Sequence, residues 1–122
     1  MNTTLVTGAD GFIGTHVIRH LAARGDRRLV AVARRTPGGA PIAGLERVLA
    51  DLNDPPQLAG LIERWRPSAI IHAAGGRGRT DENEWANVRM TQALLDAVAQ
   101  HAPDAHVVLF GSAAEYGETG HA

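Results

Sequence analysis

Three glycines, Gly8, Gly11 and Gly14, stand at a constant spacing between two segments of different hydrophobic period. Before them, Thr4-Leu5-Val6-Thr7 is a short apolar run of the kind a strand needs. After them, from Phe12 to Arg24, Ile13, Val17, Ile18 and Leu21 recur at helical spacing, and Gly25 supplies a left-handed stop. A strand that turns through glycines into a helix leaves few folds open. Gly8 permits a tight exit from the strand, Gly11 lets a ligand come close to bare backbone, and Gly14 lets the helix pack close to the sheet. The start of such a helix offers free N–H groups and partial positive charge, which together suit a phosphate.

The rest of the chain keeps alternating. Leu29-Val30-Ala31-Val32-Ala33 is almost continuously apolar, as a strand buried on both faces should be. Thr36 to Gly44 is rich in proline and glycine and reads as a loop, and Val48-Leu49-Ala50 reads as a third strand. Asp54 before Pro55 predicts an N-cap with proline at the first helical position. That helix carries Leu58, Leu61, Ile62 and Trp65 on one face and must stop near Pro67. Ala69-Ile70-Ile71 is the fourth strand, followed by a basic, glycine-rich loop with Arg77 and Arg79. Asp81 and Glu84 have capping-box spacing, and the helix they open is expected to turn Trp85, Val88, Leu94, Leu95 and Val98 inward. Both tryptophans read as packing residues. Val107 to Phe110 is the fifth strand. This succession predicts an α/β fold, a Rossmann-like doubly wound parallel sheet with strand order 3-2-1-4-5. The fifth strand is then a strongly hydrophobic edge, so the chain reads as cut from a longer parent, one incomplete domain over residues 1–122.

Composition narrows the partners. Among 122 residues the net charge is −1, too little to favour nucleic acid or an anionic membrane. There is no cysteine, so disulfide scaffolds and thiolate metal sites are excluded. No secretory signal is evident and no apolar run approaches the roughly 20 residues of a membrane span; a cytoplasmic location is the expectation. His16 and His20 have a zinc-compatible spacing, but with no third ligand they read as surface histidines.

The motif Thr7-Gly8-Ala9-Asp10-Gly11-Phe12-Ile13-Gly14 resembles the phosphate loop of the extended short-chain dehydrogenase/reductase family, the NAD-dependent epimerases and dehydratases. Four further segments resemble that family in its own order. Asp51-Leu52 looks like its adenine contact, or else an ordinary polar strand end. His72-Ala73-Ala74-Gly75 is similar to its H-x-A-A segment, in which small residues let backbone lie against the cofactor; His72 itself reads as a satisfied, partly buried side chain. Asn87-Val88-Arg89-Met90-Thr91 resembles N-V-x-G-T, with Met90 in place of glycine, and its Asn is implied to help order the site. Gly111-Ser112 to Tyr116-Gly117 resembles the S-S-x-x-Y-G segment found in nucleotide-sugar epimerases and GDP-4-keto-6-deoxymannose reductases.

The resemblance implies a cofactor site built from Gly8, Asp10, Gly11, Phe12, Ile13, Gly14, Asp51, Leu52, Ala73, Ala74, Gly75 and Asn87, with Ser112 as the catalytic hydroxyl polarising a substrate oxygen. Arg34 and Arg35 end the second strand where NAD-preferring members carry a carboxylate. A guanidinium there can grip a 2′-phosphate, so NADP is favoured over NAD, unless the pair is simply solvated. The implied substrate is a small molecule of nucleotide-sugar type. The family's Tyr-x-x-x-Lys is missing, since Gly120 follows Tyr116 at that spacing, so the chain alone is not expected to turn over substrate. A non-catalytic nucleotide-binding module, or a partner-dependent subunit, is the alternative. Family members often dimerise through the Asn87 helix and the Tyr-x-x-x-Lys helix, so a homodimer is possible but its interface is incomplete.

Overall fold

The computed structural model describes residues 2–34, 42–74 and 81–110, with side chains in the last stretch described from residue 85. Its elements run β1 (Thr3–Thr7), α1 (Phe12–Arg24), β2 (Arg28–Ala33), β3 (Leu45–Leu49), α2 (Pro55–Trp65), β4 (Ala69–His72), α3 (Asp81–His101) and β5 (His106–Leu109). Among the described residues the strands form one parallel sheet in the order β3-β2-β1-β4-β5. This is a Rossmann-like fold. The chain walks outward from β1 to β3, then returns and continues on the other side through β4. That reversal beside β1 is the switch point at which open α/β sheets leave a crevice.

Helices cover the two faces unequally. α2 and α3 bury the face formed by Leu5, Val30, Val32 and Ile70, packing Leu58, Leu61, Ile62, Met90, Leu94 and Val98 against it. α1 covers the opposite face with a smaller cluster of Val6, Ala9, Ile18 and Ala31. Gly25 ends α1 at φ 64°, its N–H reaching the Leu21 carbonyl. Arg66 ends α2 in the left-handed region at φ 40°, just before Pro67 forbids further helix. No described helix is long and apolar enough to cross a membrane.

Two expectations need correction, and a third holds with a different partner for its side chain. The third strand begins at Leu45, not Val48. Glu46 and Arg47 hide it from a hydrophobicity reading, yet as an exposed edge strand it tolerates them while pairing Leu29 to Leu45 through Ala33 to Leu49. Asp54 is the N-cap residue of α2 and proline does open that helix, but its carboxylate accepts from the Gln57 side chain at 2.8 Å instead of capping the backbone. On α3 the inward stripe is Met90, Leu94, Ala97 and Val98, whereas Trp85 (63% exposed), Val88 and Leu95 face outward. The helix carries two apolar stripes, and the core takes the one that meets α2. Trp65 does pack on the core edge, with the Arg64 and Arg28 guanidinium groups 5.0 and 5.7 Å from its ring centre.

Candidate nucleotide site

The glycine turn stands at the carboxyl end of β1, the centre of the sheet. Gly8 leaves the strand at φ 64°, a conformation open to glycine, and its surroundings leave no space for a side chain. A Cβ there would lie 2.7 Å from the Ala73 carbonyl and the Ala74 nitrogen, just beyond β4. A Cβ on Gly14 would lie 2.1 Å from the Gly8 carbonyl oxygen. Gly14 therefore presses the first turn of α1 against the loop backbone; the close approach is to the turn itself more than to the sheet. Gly11 donates its N–H to the Gly8 carbonyl at 3.0 Å and accepts from Thr15 N–H at 2.9 Å, closing the turn. The Thr15 hydroxyl adds a 3.3 Å bond to the Ala9 carbonyl.

The turn delivers an uncapped helix. Gly11 is the N-cap of α1 and makes no side-chain cap bond, and no acidic residue lies in the first turn. The first amides of any helix lack intrahelical acceptors, and here no described side chain caps them. A phosphate fits this end both electrostatically and by hydrogen bonding. Phe12 and Ile13, exposed on that first turn, flank it, and Asp10 is exposed at its rim.

Neighbouring strands end at the same edge of the sheet. Ala9 donates to the Val32 carbonyl of β2 at 3.1 Å, and Ala73 donates to the Thr7 carbonyl at 3.3 Å. Arg34 follows β2 and is exposed. Beneath the turn, the buried Thr7 hydroxyl lies 2.7 Å from His72 Nδ1 and accepts the Ala74 N–H at 3.2 Å. His72 is 6% exposed, and burial pushes its pKa down from the ordinary histidine value. The satisfied, buried reading of His72 holds.

This architecture has close counterparts. The model of the NAD dependent epimerase/dehydratase family matches residues 4–122. The chain belongs to that family. It is 39% identical over 116 residues to a dTDP-6-deoxy-L-talose 4-dehydrogenase (NAD(P)(+)) of Kitasatospora kifunensis, covering 92% of this chain and 36% of that protein. A UDP-glucose 4-epimerase of Brucella ovis, solved in complex with NAD, superposes with a TM-score of 0.79 at 30% identity, over 97% of this chain and 38% of that one. The UDP-Glc/GlcNAc 4-epimerase of Campylobacter jejuni shares the fold, with a TM-score of 0.85 at 22% identity over 97% of this chain and 39% of that one. The chain thus spans little more than a third of the length of that dehydrogenase, and far less of some other curated relatives.

Other family positions fall in different settings. Asp51 follows β3 at the same sheet edge, and its carboxylate accepts the Asn53 N–H at 2.9 Å. The Leu52 side chain is buried in the larger core cluster, so only its backbone is available to a ligand. Asn87 sits half-buried on α3. Met90, where the family motif has glycine, fills the core beside α2. Arg35, Gly75 and Ser112, as well as Arg77 and Arg79, lie outside the described residues. The His16 and Phe12 rings meet in a T-shaped contact with centroids 4.6 Å apart. The sequence reading assigned no role to Thr7 or Thr15. Their one signal is a hydroxyl on either side of the glycine turn, the first directly after the apolar pair Leu5-Val6.

Proposed function

We propose that this chain is the cofactor-holding part of an NAD(P)-dependent oxidoreductase acting on a nucleotide-sugar or a similar hydroxyl or keto substrate. The uncapped start of α1, held at the switch point by the Gly8–Gly14 contact, carries the reading. The first-turn amides of α1 would hold the pyrophosphate. Exposed Phe12 and Ile13, the Ala73-Ala74 backbone with Gly75, and Asp51-Leu52 with Asn87 complete the surroundings. A bound nicotinamide would supply the hydride chemistry, with Ser112 placed by the family resemblance to polarise the substrate oxygen. Arg34 and Arg35 hold the 2′-phosphate of NADP. A thermal-shift series with NADPH, NADH and buffer tests this, because a ligand that binds only the folded chain raises its apparent stability. No shift with either nucleotide rejects the cofactor reading; an equal or larger shift with NADH rejects the NADP preference.

One observation favours the second reading, a partner-dependent subunit without turnover of its own. Val108, Leu109 and Phe110 are all about half exposed along the β5 edge. NAD(P)H-coupled turnover by the purified 122-residue chain would exclude that reading. A homodimer, if formed, would bury the outward stripe of Trp85 and Val88 on α3, and light scattering of wild type against Trp85→Ser would report its loss.

A further inference from the structure

We infer that His72 is a positioning residue for the nucleotide site: by accepting the Thr7 O–H at Nδ1, it orients the Thr7 oxygen toward the Ala74 N–H and so pins the exit of β4 against the glycine turn. The inference rests on the proposed nucleotide reading for its functional consequence, but not for its geometry.

Thr7 and His72 are register partners on adjacent strands, 65 residues apart in the chain. Thr7 is fully buried. Among the described residues its Oγ1 has two hydrogen-bonding neighbours, His72 Nδ1 at 2.7 Å and the Ala74 nitrogen at 3.2 Å. A hydroxyl has one proton and two lone pairs, and a backbone N–H can only donate. Thr7 therefore accepts from Ala74. Were His72 Nδ1 also a donor, Thr7 would accept twice, and its own proton would have no acceptor among the described residues. A buried donor left unsatisfied is costly. With Nδ1 bare, the Thr7 proton goes to it and every group in the chain of bonds is used. His72 is then neutral, with its proton on Nε2. Burial, which disfavours the imidazolium, acts in the same direction.

This bond has leverage because each partner adjoins a wall of the turn. Gly8 comes directly after Thr7, and Ala73-Ala74 directly after His72. The two backbones are already so close that a Cβ on Gly8 would lie 2.7 Å from three atoms of Ala73 and Ala74. Moving the Thr7 oxygen off Ala74 therefore shifts the wall against which the glycine turn rests. His72 is itself buried beneath that wall and acts through Thr7.

The test combines a measurement on the unaltered chain with paired variants. Nitrogen NMR of the wild type should show His72 with Nδ1 unprotonated and Nε2 protonated, and slow exchange of the Ala74 amide. His72→Asn keeps an acceptor near the Nδ1 position, whereas His72→Leu removes it. His72→Leu should speed Ala74 exchange and weaken NAD(P)H binding about tenfold, while His72→Asn stays within about twofold of wild type. Thr7→Val should be at least as damaging as His72→Leu, and Thr7→Ser should match wild type. The double variant Thr7→Val/His72→Leu should be no worse than Thr7→Val alone, which already removes both the bond to His72 and the acceptor of the Ala74 N–H. A proton on Nδ1, unchanged Ala74 exchange in His72→Leu, or equal damage from His72→Asn and His72→Leu would overturn the inference. If His72→Leu does not fold, the wild-type tautomer and the Thr7→Ser and His72→Asn pair decide it. If the wild type binds neither nucleotide, the cofactor reading fails, while the tautomer and Ala74 exchange still decide the pin.

Discussion

Gly14 and the Gly8 carbonyl oxygen are so close that a single added methyl on Gly14 would stand 2.1 Å from that oxygen. The neighbour is backbone, which cannot rotate away as a side chain would. Gly14→Ala must therefore push the first turn of α1 off the loop. The expected cost is about 3 kcal/mol, the upper end of overpacking, together with loss of nucleotide binding. Gly25→Ala is the control: it has the same left-handed φ as Gly8 but nothing within 4 Å of its added methyl. It should cost about 1 kcal/mol, the penalty of the left-handed conformation alone. Urea denaturation of both variants checks the difference, and equal costs would show that the loop yields.

Arg34 stands exposed at the end of β2. Arg34→Glu places a carboxylate where a 2′-phosphate would sit, so NADPH affinity should fall about tenfold or more relative to NADH. Fluorescence titration of both nucleotides measures the ratio. A ratio unmoved by the substitution would leave Arg34 as a solvated side chain.

The two stripes of α3 separate cleanly by mutation. Leu94 is fully buried, so Leu94→Ala should cost about 3 kcal/mol through lost transfer energy and a residual cavity. Trp85→Ser changes a surface residue and should alter the stability of the monomer by no more than about 0.5 kcal/mol. Chemical denaturation at low protein concentration compares them, and the reverse order would place the wrong stripe in the core.

His72 gives the stability a defined acid dependence. Its pKa is lowered on folding, so above the unfolded histidine value near 6.5 both states are neutral and the group contributes no slope. Below that value the unfolded chain takes a proton that the folded chain resists, and stability falls as pH falls toward the folded pKa. The pH series of denaturation midpoints from about 7.5 to about 5 should flatten in His72→Asn. An unchanged slope would assign the acid sensitivity to other groups.

How much of the fold was legible in the sequence depends on the range of each signal. The glycine turn and α1 are local: glycine spacing, helical period and the Gly25 stop all lie within one stretch of chain, and the structure reproduces them from Phe12 to Arg24. The β3 start was not legible, because Glu46 and Arg47 are acceptable on an edge strand and carry no apolar alternation. The inward face of α3 was not legible either, since two stripes offer the same period and only the position of α2 chooses between them. The Thr7–His72 bond is a long-range property of strand register. Nothing near Thr7 in the sequence announces a histidine as its partner.

The unequal covering of the sheet has a consequence for the order in which the domain comes apart. α1 is anchored mainly through Ile18 over Val6, Ala9 and Ala31, whereas α2 and α3 share one broad layer on the other face. Regions with fewer buried apolar partners open at lower free energy than the whole domain. α1 is then the first helix to loosen, and it is the helix whose N-terminus would receive the nucleotide. A bound dinucleotide would act as a clasp on the weaker layer: amide exchange in α1 would slow most on binding, and that in α2 least. Occupancy of the site and integrity of the α1 layer would rise and fall together.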